Sequence, residues 1–498
     1  MGTGRIKLTP TTGNPSKQTI SPREQELQQL LSCIEELKPH EKFMYSLDDM
    51  GFGALFADCF KDTVRYNTDD GQWYVFQNGV WILDKGAVCA ERKVTDLIRI
   101  LRLYIDNNQQ SIDSAVLKPY QAFLKRRGAQ NSIKQTLNAA RADLKIESAD
   151  FDRDTHLLNC LNGVYDLQRK AFRASAPGDL CKLQADCNFS DKPTPKNHRW
   201  YRFIDEIMSG DKEKSHFLQK ALGASLLGDV RDECMFIAYG VRTRNGKGTL
   251  FNTIKAVLGS YAGTVDSSLL CESKYKNADY NKPEPMLANT VGVRYLTLSE
   301  TSIEAVLDSN MIKSLTGRDP RQTRKLNSNP FTFTPQFTMW LSTNFLPSVK
   351  DDSVFTSKRI WVIDFDAHFD GDNQDVDLKA KFLQPENRSV ILRWMLDGYR
   401  MYVEEGLNPP QCVIDSTNHY AMQSNPVLCF IDDCLNIKDG EELERQAAYN
   451  AYVKWCSSSK PMRIPIGNTT FYRRMEQHFI LKNSNGYRRF VGVALKGE

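Results

Sequence analysis

The stretch CMFIAYGVRTRNGKGTLFNTIKAVLG, residues 234 to 259, constrains this chain more than any other. Its compact apolar run closes on Gly240 and reads as a buried strand, while Leu250, Ile254, Val257 and Leu258 recur at helical spacing. A glycine-rich turn therefore joins a strand to a helix whose N-terminus falls at Lys247 to Thr249. Free backbone N–H groups and the helix dipole favour an anion there. This is the setting of the P-loop, G-x-x-x-x-G-K-S/T, in which backbone wraps the phosphates, Lys reaches the β/γ oxygens and a hydroxyl holds Mg²⁺. Two departures stand out. Gly240 lies one residue too far from Gly246, and Gly248 takes the place of the Ser or Thr, so the Mg²⁺ hydroxyl falls to Thr249. The expected ATP contacts are Gly240, Asn245, Gly246, Lys247, Gly248, Thr249 and Leu250. A plain glycine turn with a solvated lysine is the competing reading, and the flanking strand and helix weigh against it.

Hydrolysis needs a carboxylate about one strand away to activate water and help hold Mg²⁺. VGVRYLTLSETS (291–302) supplies a short strand pattern that ends at Ser299-Glu300, making Glu300 the candidate base and second Mg²⁺ ligand. Ser299 stands where a preceding Asp is usual, so metal is expected to be held there weakly or through water. FTMWLSTN (337–344) is a further strand, with Asn344 emerging at its end to contact a γ-phosphate or attacking water. SKRIWVIDF (357–365) puts Lys358 and Arg359 just before another apolar strand. An arginine there suits a finger reaching a neighbouring subunit's γ-phosphate, a group worth about 10³–10⁵ in rate. Without the glycine loop, Glu300, Asn344 and Arg359 would read as a solvated acid, a turn cap and a surface cation.

Lys247, Glu300, Asn344 and Arg359, in this order, resemble the Walker A, Walker B, sensor and arginine-finger motifs of superfamily 3 helicases. The pattern is most similar to their phage- and plasmid-encoded primase-helicase branch, with its poxvirus relatives. LLNCLNGVYDL, LTGRD, NPFTFTPQF and STNFLP add to the resemblance, which spans roughly residues 150 to 370. It implies an AAA+-like ATPase that assembles as a hexameric ring, hydrolyses ATP between subunits and draws one DNA strand through its pore. Residues 1 to 145 show no clear carboxylate cluster of a primase domain, so the sequence leaves open whether this chain primes or another protein does.

Net charge, only +4, decides nothing about nucleic acid; local clustering does. Residues 311 to 325 hold Lys313, Arg318, Arg321, Arg324 and Lys325 against Asp319, a net +4. Such cations contact phosphates without reading sequence. In similar helicases this region includes a pore-facing hairpin, so Arg324, Lys325 and Lys313 are assigned to the translocated strand; a solvated basic loop is the alternative. Residues 461 to 498 carry seven basic against two acidic residues, a net +5. Helices over 442–456 and 469–479 followed by YRRFVGVAL suggest a winged helix, with Arg473 and Arg474 on the recognition helix and Arg488 and Arg489 in the wing. A subunit-packing domain with a basic surface is the rival there.

At 498 residues the chain is expected to hold several domains. The first 24 residues have no apolar core of a secretory signal and read as a disordered tail. Residues 25–145 read as a small α/β domain, with an aromatic hairpin at GQWYVFQNGVWILD (71–84) turning on Asn78-Gly79 and helices near 88–104 and 132–144. Trp73, Tyr74 and Trp81 are read as core cover in preference to base-stacking groups. A helical collar region (146–230), the ATPase core (231–370), a helical linker or lid (371–425) and the winged-helix-like domain (426–498) follow. Twelve scattered cysteines lack zinc spacing and read as reduced thiols, and Asp152 with Asp154 as a solvated pair. No 18-residue apolar run occurs, so a cytoplasmic protein of a bacterial or infected cell is expected.

The function expected is an ATP- and Mg²⁺-dependent DNA helicase for replication of a virus or mobile element, acting on single-stranded and forked DNA. An initiator ATPase that remodels DNA without processive unwinding uses the same residues. G-K-G-T loops also occur in nucleotide kinases, against which the chain's length and its two basic clusters weigh.

Overall fold

The structure is a computed structural model that describes residues 21–195, 197–272, 285–302, 305–324, 330–371, 374–458, 465–484 and 486–496. The chain forms two compact units, one of Met1–Arg153 with Ala176–Lys182, the other of Asp154–Ser175 with Leu183–Glu498.

The first unit opens with helix Pro22–Leu37, started by a capping box between Ser21 and Glu24. Its four-stranded sheet runs in the order Val80–Asp84, Gln72–Gln77, Val64–Asn67, Lys145–Ile146. Asn78 and Gly79 both take positive φ (50° and 77°), as the tight hairpin turn requires. Trp73, Tyr74 and Trp81 are buried, so the hairpin's aromatics fill core. Helix Asp49–Phe60 and three further helices complete the unit: α1 (Val88–Asn107), α2 (Ser114–Arg127) and α3 (Gln130–Ala140). The sequence reading had no helix at α2; its Pro119 falls in the second turn, and Tyr120, Phe123 and Leu124 bury the helix.

In the second unit a parallel sheet carries the site. Its strands are β1 (Met235–Tyr239), β2 (Ala262–Val265), β3 (Tyr295–Leu298), β4 (Thr338–Thr343) and β5 (Ile360–Asp364), ordered 5-1-4-3-2. β1 therefore lies between its two most chain-distant partners, where the crossovers change direction and an α/β sheet opens a crevice. Both faces are covered, which is why these strands read as unbroken apolar runs. Phe236, Ala238, Tyr295 and Trp340 pack on one side against Leu250, Phe251 and Ile254 of helix α4 (Lys247–Leu258). Met235, Ile237, Leu296, Met339 and Val362 pack on the other against Ile312 and Leu315 of helix α5 (Ser309–Thr316). Each such side chain contributes about 1.5–3 kcal/mol on burial.

A buried cation ties the preceding region to this core. Arg294 donates to Leu226 O (2.8 Å) and Leu157 O (2.7 Å) and lies 4.4 Å from the Tyr261 ring.

The last part packs three helices, Pro426–Cys434, Arg445–Ser458 and α6 (Asn468–Met475), on a three-stranded antiparallel sheet around Phe430, Tyr452, Phe471 and Phe490. Residues 442–444, expected to start a helix, instead end strand Leu435–Glu444, because Leu443 pairs with Phe490 and is buried. Tertiary pairing overrides helix propensity here.

Candidate functional site

The crevice at the C-terminal end of β1 is built by glycine. Gly240 follows the strand at once, and a Cβ there would stand 2.3 Å from Asn245 Nδ2, 2.7 Å from Phe365 O and 3.1 Å from Lys247 Nζ. Only a bare α-carbon lets the loop fold over its own lysine. Gly246 caps α4 with φ +85°, and a Cβ would strike Ile207. Gly248 has nothing within 4 Å of that position, so the first turn of α4 faces open space.

Lys247 is buried, with its ammonium held by three acceptors: Asn344 Oδ1 at 2.8 Å, Thr343 O at 3.0 Å and Gly240 O at 3.2 Å. Burial lowers its pKa to about 8, while the nearby Glu300 carboxylate acts the other way. The loop lysine, the end of β4 and the acid after β3 thus converge on one edge. Thr301 and Thr343 join the ends of β3 and β4 through their hydroxyls (3.3 Å). Ser299 turns towards the end of β2, accepting from Ser267 N (2.9 Å) and donating to Asp266 Oδ2 (3.3 Å). Glu300 itself is exposed, and its backbone oxygen accepts from Ser267 Oγ (3.1 Å).

The extra loop residue is a built feature. Asn245 is buried and closes the loop by donating to Arg242 O (2.7 Å). The segment after β5 holds the outer turn: Phe369 N donates to Arg244 O (2.9 Å), and His368 Nδ1 lies 2.9 Å from Thr243 O. Arg242 and Arg244 stay exposed. Sequence reasoning missed His368 and Phe369, which lie over a hundred positions from the loop and carry no local signal.

Leu250 departs from expectation. It is fully buried in the core, and its N–H already donates to Gly246 O (2.9 Å), so it has neither side chain nor amide to offer a ligand. Thr249 is half-buried in the first turn. Arg359 lies at the opposite edge of the sheet, since Ile360 pairs with Met235 and Asp364 with Tyr239. Five residues at about 3.3 Å each set it some 16 Å from the glycine loop along the strands. There it bonds Thr316 Oγ1 (3.1 Å) and pairs with Glu233 (2.7 Å).

The residues expected to meet DNA divide sharply. An antiparallel pair, Arg321–Thr323 with Phe331–Phe333, does form after α5, and Lys325 lies outside the described residues. Lys313 is not turned outward: it pairs with Asp351 (3.0 Å). Arg318 pairs with Asp229 (3.3 Å), Arg321 donates to Ser314 Oγ (2.8 Å), and the Arg324 Nε is buried with no hydrogen-bond partner among the described residues. Arg474 is buried, bonding Asn425 Oδ1 (2.8 Å) and Lys350 O, and is closed to a phosphate here; helix α6 packs through that face. Arg489 is half-buried beside Glu442 (3.6 Å). Arg473 and Arg488 are exposed.

A strand, a glycine loop and a helix N-terminus at the switch point of a parallel sheet give this α/β fold a crevice of the kind that suits an anion. Residues 53–209 match the family described as D5 N terminal like, 238–359 a family of unknown function (DUF5906), and 422–491 the poxvirus D5 protein-like family. A provisionally named helicase of Acanthamoeba polyphaga mimivirus is 25% identical over 450 residues, covering 82% of this chain and 45% of the relative. The fowlpox virus primase D5 is 24% identical, over 65% of this chain and 39% of its own. An apo structure of the NrS-1 C-terminal region aligns over 89% of this chain and 99% of its own, at 10% identity and a TM-score of 0.46. In these segments the chain is similar to D5-type proteins of large viruses, whose members here are named helicase and primase D5. It spans less than half the length of these curated relatives. Among the described residues no helix is long and apolar enough to cross a membrane.

Proposed function

We propose that the chain is an ATP-dependent DNA helicase of superfamily 3, an AAA+-like P-loop ATPase working as a ring of subunits. One observation carries this: Lys247 is held jointly by the glycine loop and Asn344, beside Glu300, at the edge where an α/β sheet binds its ligand. The donor set fits a nucleotide triphosphate, since the open first turn of α4 offers backbone N–H groups beside an ammonium. Lys247 and the amides of Gly246, Gly248 and Thr249 would hold the phosphates, with Thr249 and Glu300 towards Mg²⁺. The metal, when bound, supplies charge neutralisation to the leaving phosphate. Glu300 would take the proton of the attacking water, and Asn344 would exchange the lysine for the γ-phosphate. Arg359, at the far edge of the sheet, supports a finger offered to another copy, hence a hexameric ring. Helices on a three-stranded sheet, with Arg473 and Arg488 exposed, support a winged-helix-like DNA contact, and the antiparallel pair of Arg321–Thr323 with Phe331–Phe333 supports a contact to the translocated strand.

Strand displacement on forked DNA with ATP tests the proposal. Displacement that disappears in Lys247→Ala is expected. ATP hydrolysis stimulated by DNA with no displacement would leave an initiator or remodelling ATPase, and phosphate transfer to a nucleotide acceptor with no response to DNA would leave a kinase.

A further inference from the structure

The charges of the first unit are sorted along the chain. Residues 21–84 carry five basic and twelve acidic residues, a net −7, whereas residues 85–145 carry twelve basic and five acidic, a net +7. The second segment is α1, α2 and α3 with their connections. On α1, Arg92, Arg99 and Arg102 are all exposed and fall on one stripe, opposite the buried Val94, Leu97 and Leu101. Arg102 reaches the last turn of α2, donating to Leu124 O (2.8 Å) next to exposed Lys125 and Arg126. Gln130 at the start of α3 bonds Glu91 beside Arg92 (3.1 Å). The α2–α3 connection therefore lies along the arginine stripe, and one face gathers Arg92, Arg99, Arg102, Lys125 and Arg126.

None of the five pairs with an acid among the described residues, although the adjoining segment of the same unit holds a surplus of seven. Arg127, next in sequence, shows what pairing looks like: it is buried on Phe123 and bonded to Asp49. The helix dipole accounts for cations in the last turn of α2 but not for Arg92, which stands near the positive end of α1. Arg99 and Arg102 are like-charged neighbours three residues apart, which costs helix stability. An arrangement that fold stability disfavours and that leaves these cations without acid partners among the described residues matches the multiple, sequence-independent recognition of a phosphodiester backbone.

We propose that this face of the first unit binds the DNA backbone, as a contact separate from the glycine-loop unit. The choice of DNA rests on the function proposed above; the phosphodiester chemistry does not. The test uses the full chain without nucleotide, measuring anisotropy of a labelled single-stranded oligonucleotide and, separately, a blunt duplex over a salt series. The face variant combines Arg92→Gln, Arg99→Gln, Lys125→Gln and Arg126→Gln. A control removes the same charge outside the face through Lys38→Gln, Lys42→Gln, Lys61→Gln and Lys85→Gln, all exposed. The face variant is expected to bind at least one of the two DNAs about tenfold more weakly, with a salt slope lower by about 3. The control is expected to keep the slope, and both variants to keep the melting temperature and DNA-free ATP turnover of the unaltered chain. Equal losses in both variants, or none in the face variant, overturn the proposal. So does a face variant whose particle mass falls while its DNA affinity holds, because the face would then join copies of this chain. Absence of strand displacement by the unaltered chain would refute the helicase assignment and leave this binding result standing.

Discussion

The C-terminal edge of the parallel sheet and the two basic segments of the same unit were read from one sequence by different means, and they fared differently. At the edge, Lys247 and Asn344, 97 positions apart, meet at 2.8 Å, with Glu300 close enough to act on the lysine's proton. In the basic segments several cations are already engaged within the fold, Lys313 by Asp351, Arg318 at the surface by Asp229 and the buried Arg474 by Asn425, while Arg473 and Arg488 stay exposed. A glycine-lysine spacing after a strand encodes backbone geometry, and geometry places side chains. A count of cations carries no facing, and long side chains find partners in their own fold before any ligand.

The sharpest way to break this contrast is at the edge. Lys247→Ala should lower ATP turnover by a factor on the order of 10³, as loss of a preorganised charge at a reacting phosphate does. Glu300→Gln should lower it by about 10²–10⁴ while nucleotide still binds. Steady-state hydrolysis paired with fluorescent-nucleotide titration checks both. Turnover retained in Glu300→Gln would remove the acid from the site and leave the edge no better defined than the basic segments.

Arg359→Ala sharpens it from the other end of the sheet. Mixed with unaltered protein, it should depress activity more steeply than dilution, because each finger would serve a neighbour's nucleotide. A linear fall with the fraction of variant would instead confine Arg359 to its bonds with Thr316 and Glu233.

Adjacent arginines on α6 give the next largest effect. Arg474→Ala strands Asn425 and the buried Asp352 beside it, and should cost about 2–3 kcal/mol of stability. Arg473→Ala should stay within about 0.5 kcal/mol and weaken DNA binding modestly. Urea unfolding read separately from DNA titration resolves the two; the opposite ranking would put the buried arginine on the surface.

Much of the fold was legible. The β1–loop–α4 unit, the strands ending at Ser299 and Thr343 and the Asn78-Gly79 hairpin each follow from local pattern, whereas the antiparallel pair beyond α5 was expected only from the resemblance to similar helicases. What escaped depends on contacts between distant segments. Helix α2 survives its proline because Tyr120, Phe123 and Leu124 are buried by other helices. Residues 442–444 are strand because Phe490 and Val491 lie opposite. Leu250 follows the loop closely enough to look like a ligand contact, yet the helical rotation that puts Lys247 at the loop turns Leu250 into the core. The inward turn of Arg474 and outward turn of Arg473 are likewise a matter of 100° of helix, which charge alone does not report.

The smallest effect probes how the edge tunes its lysine. Burial, only partly offset by Glu300, holds the Lys247 pKa at about 8, below the usual lysine value. The protonated form is the one that attracts phosphate, so affinity should be steady up to neutral pH and fall as pH rises through 8. With the binding-competent fraction set by that pKa, nucleotide should bind about tenfold more weakly at pH 9 than at pH 7. A bound anion restores the proton, so binding near pH 8 should take up protons from the buffer. Titration calorimetry in two buffers of different ionisation enthalpy measures that uptake directly, and Lys247→Met should abolish both the uptake and the pH slope. A slope that survives in Lys247→Met belongs to another group and would separate nucleotide affinity from the lysine at the centre of the edge.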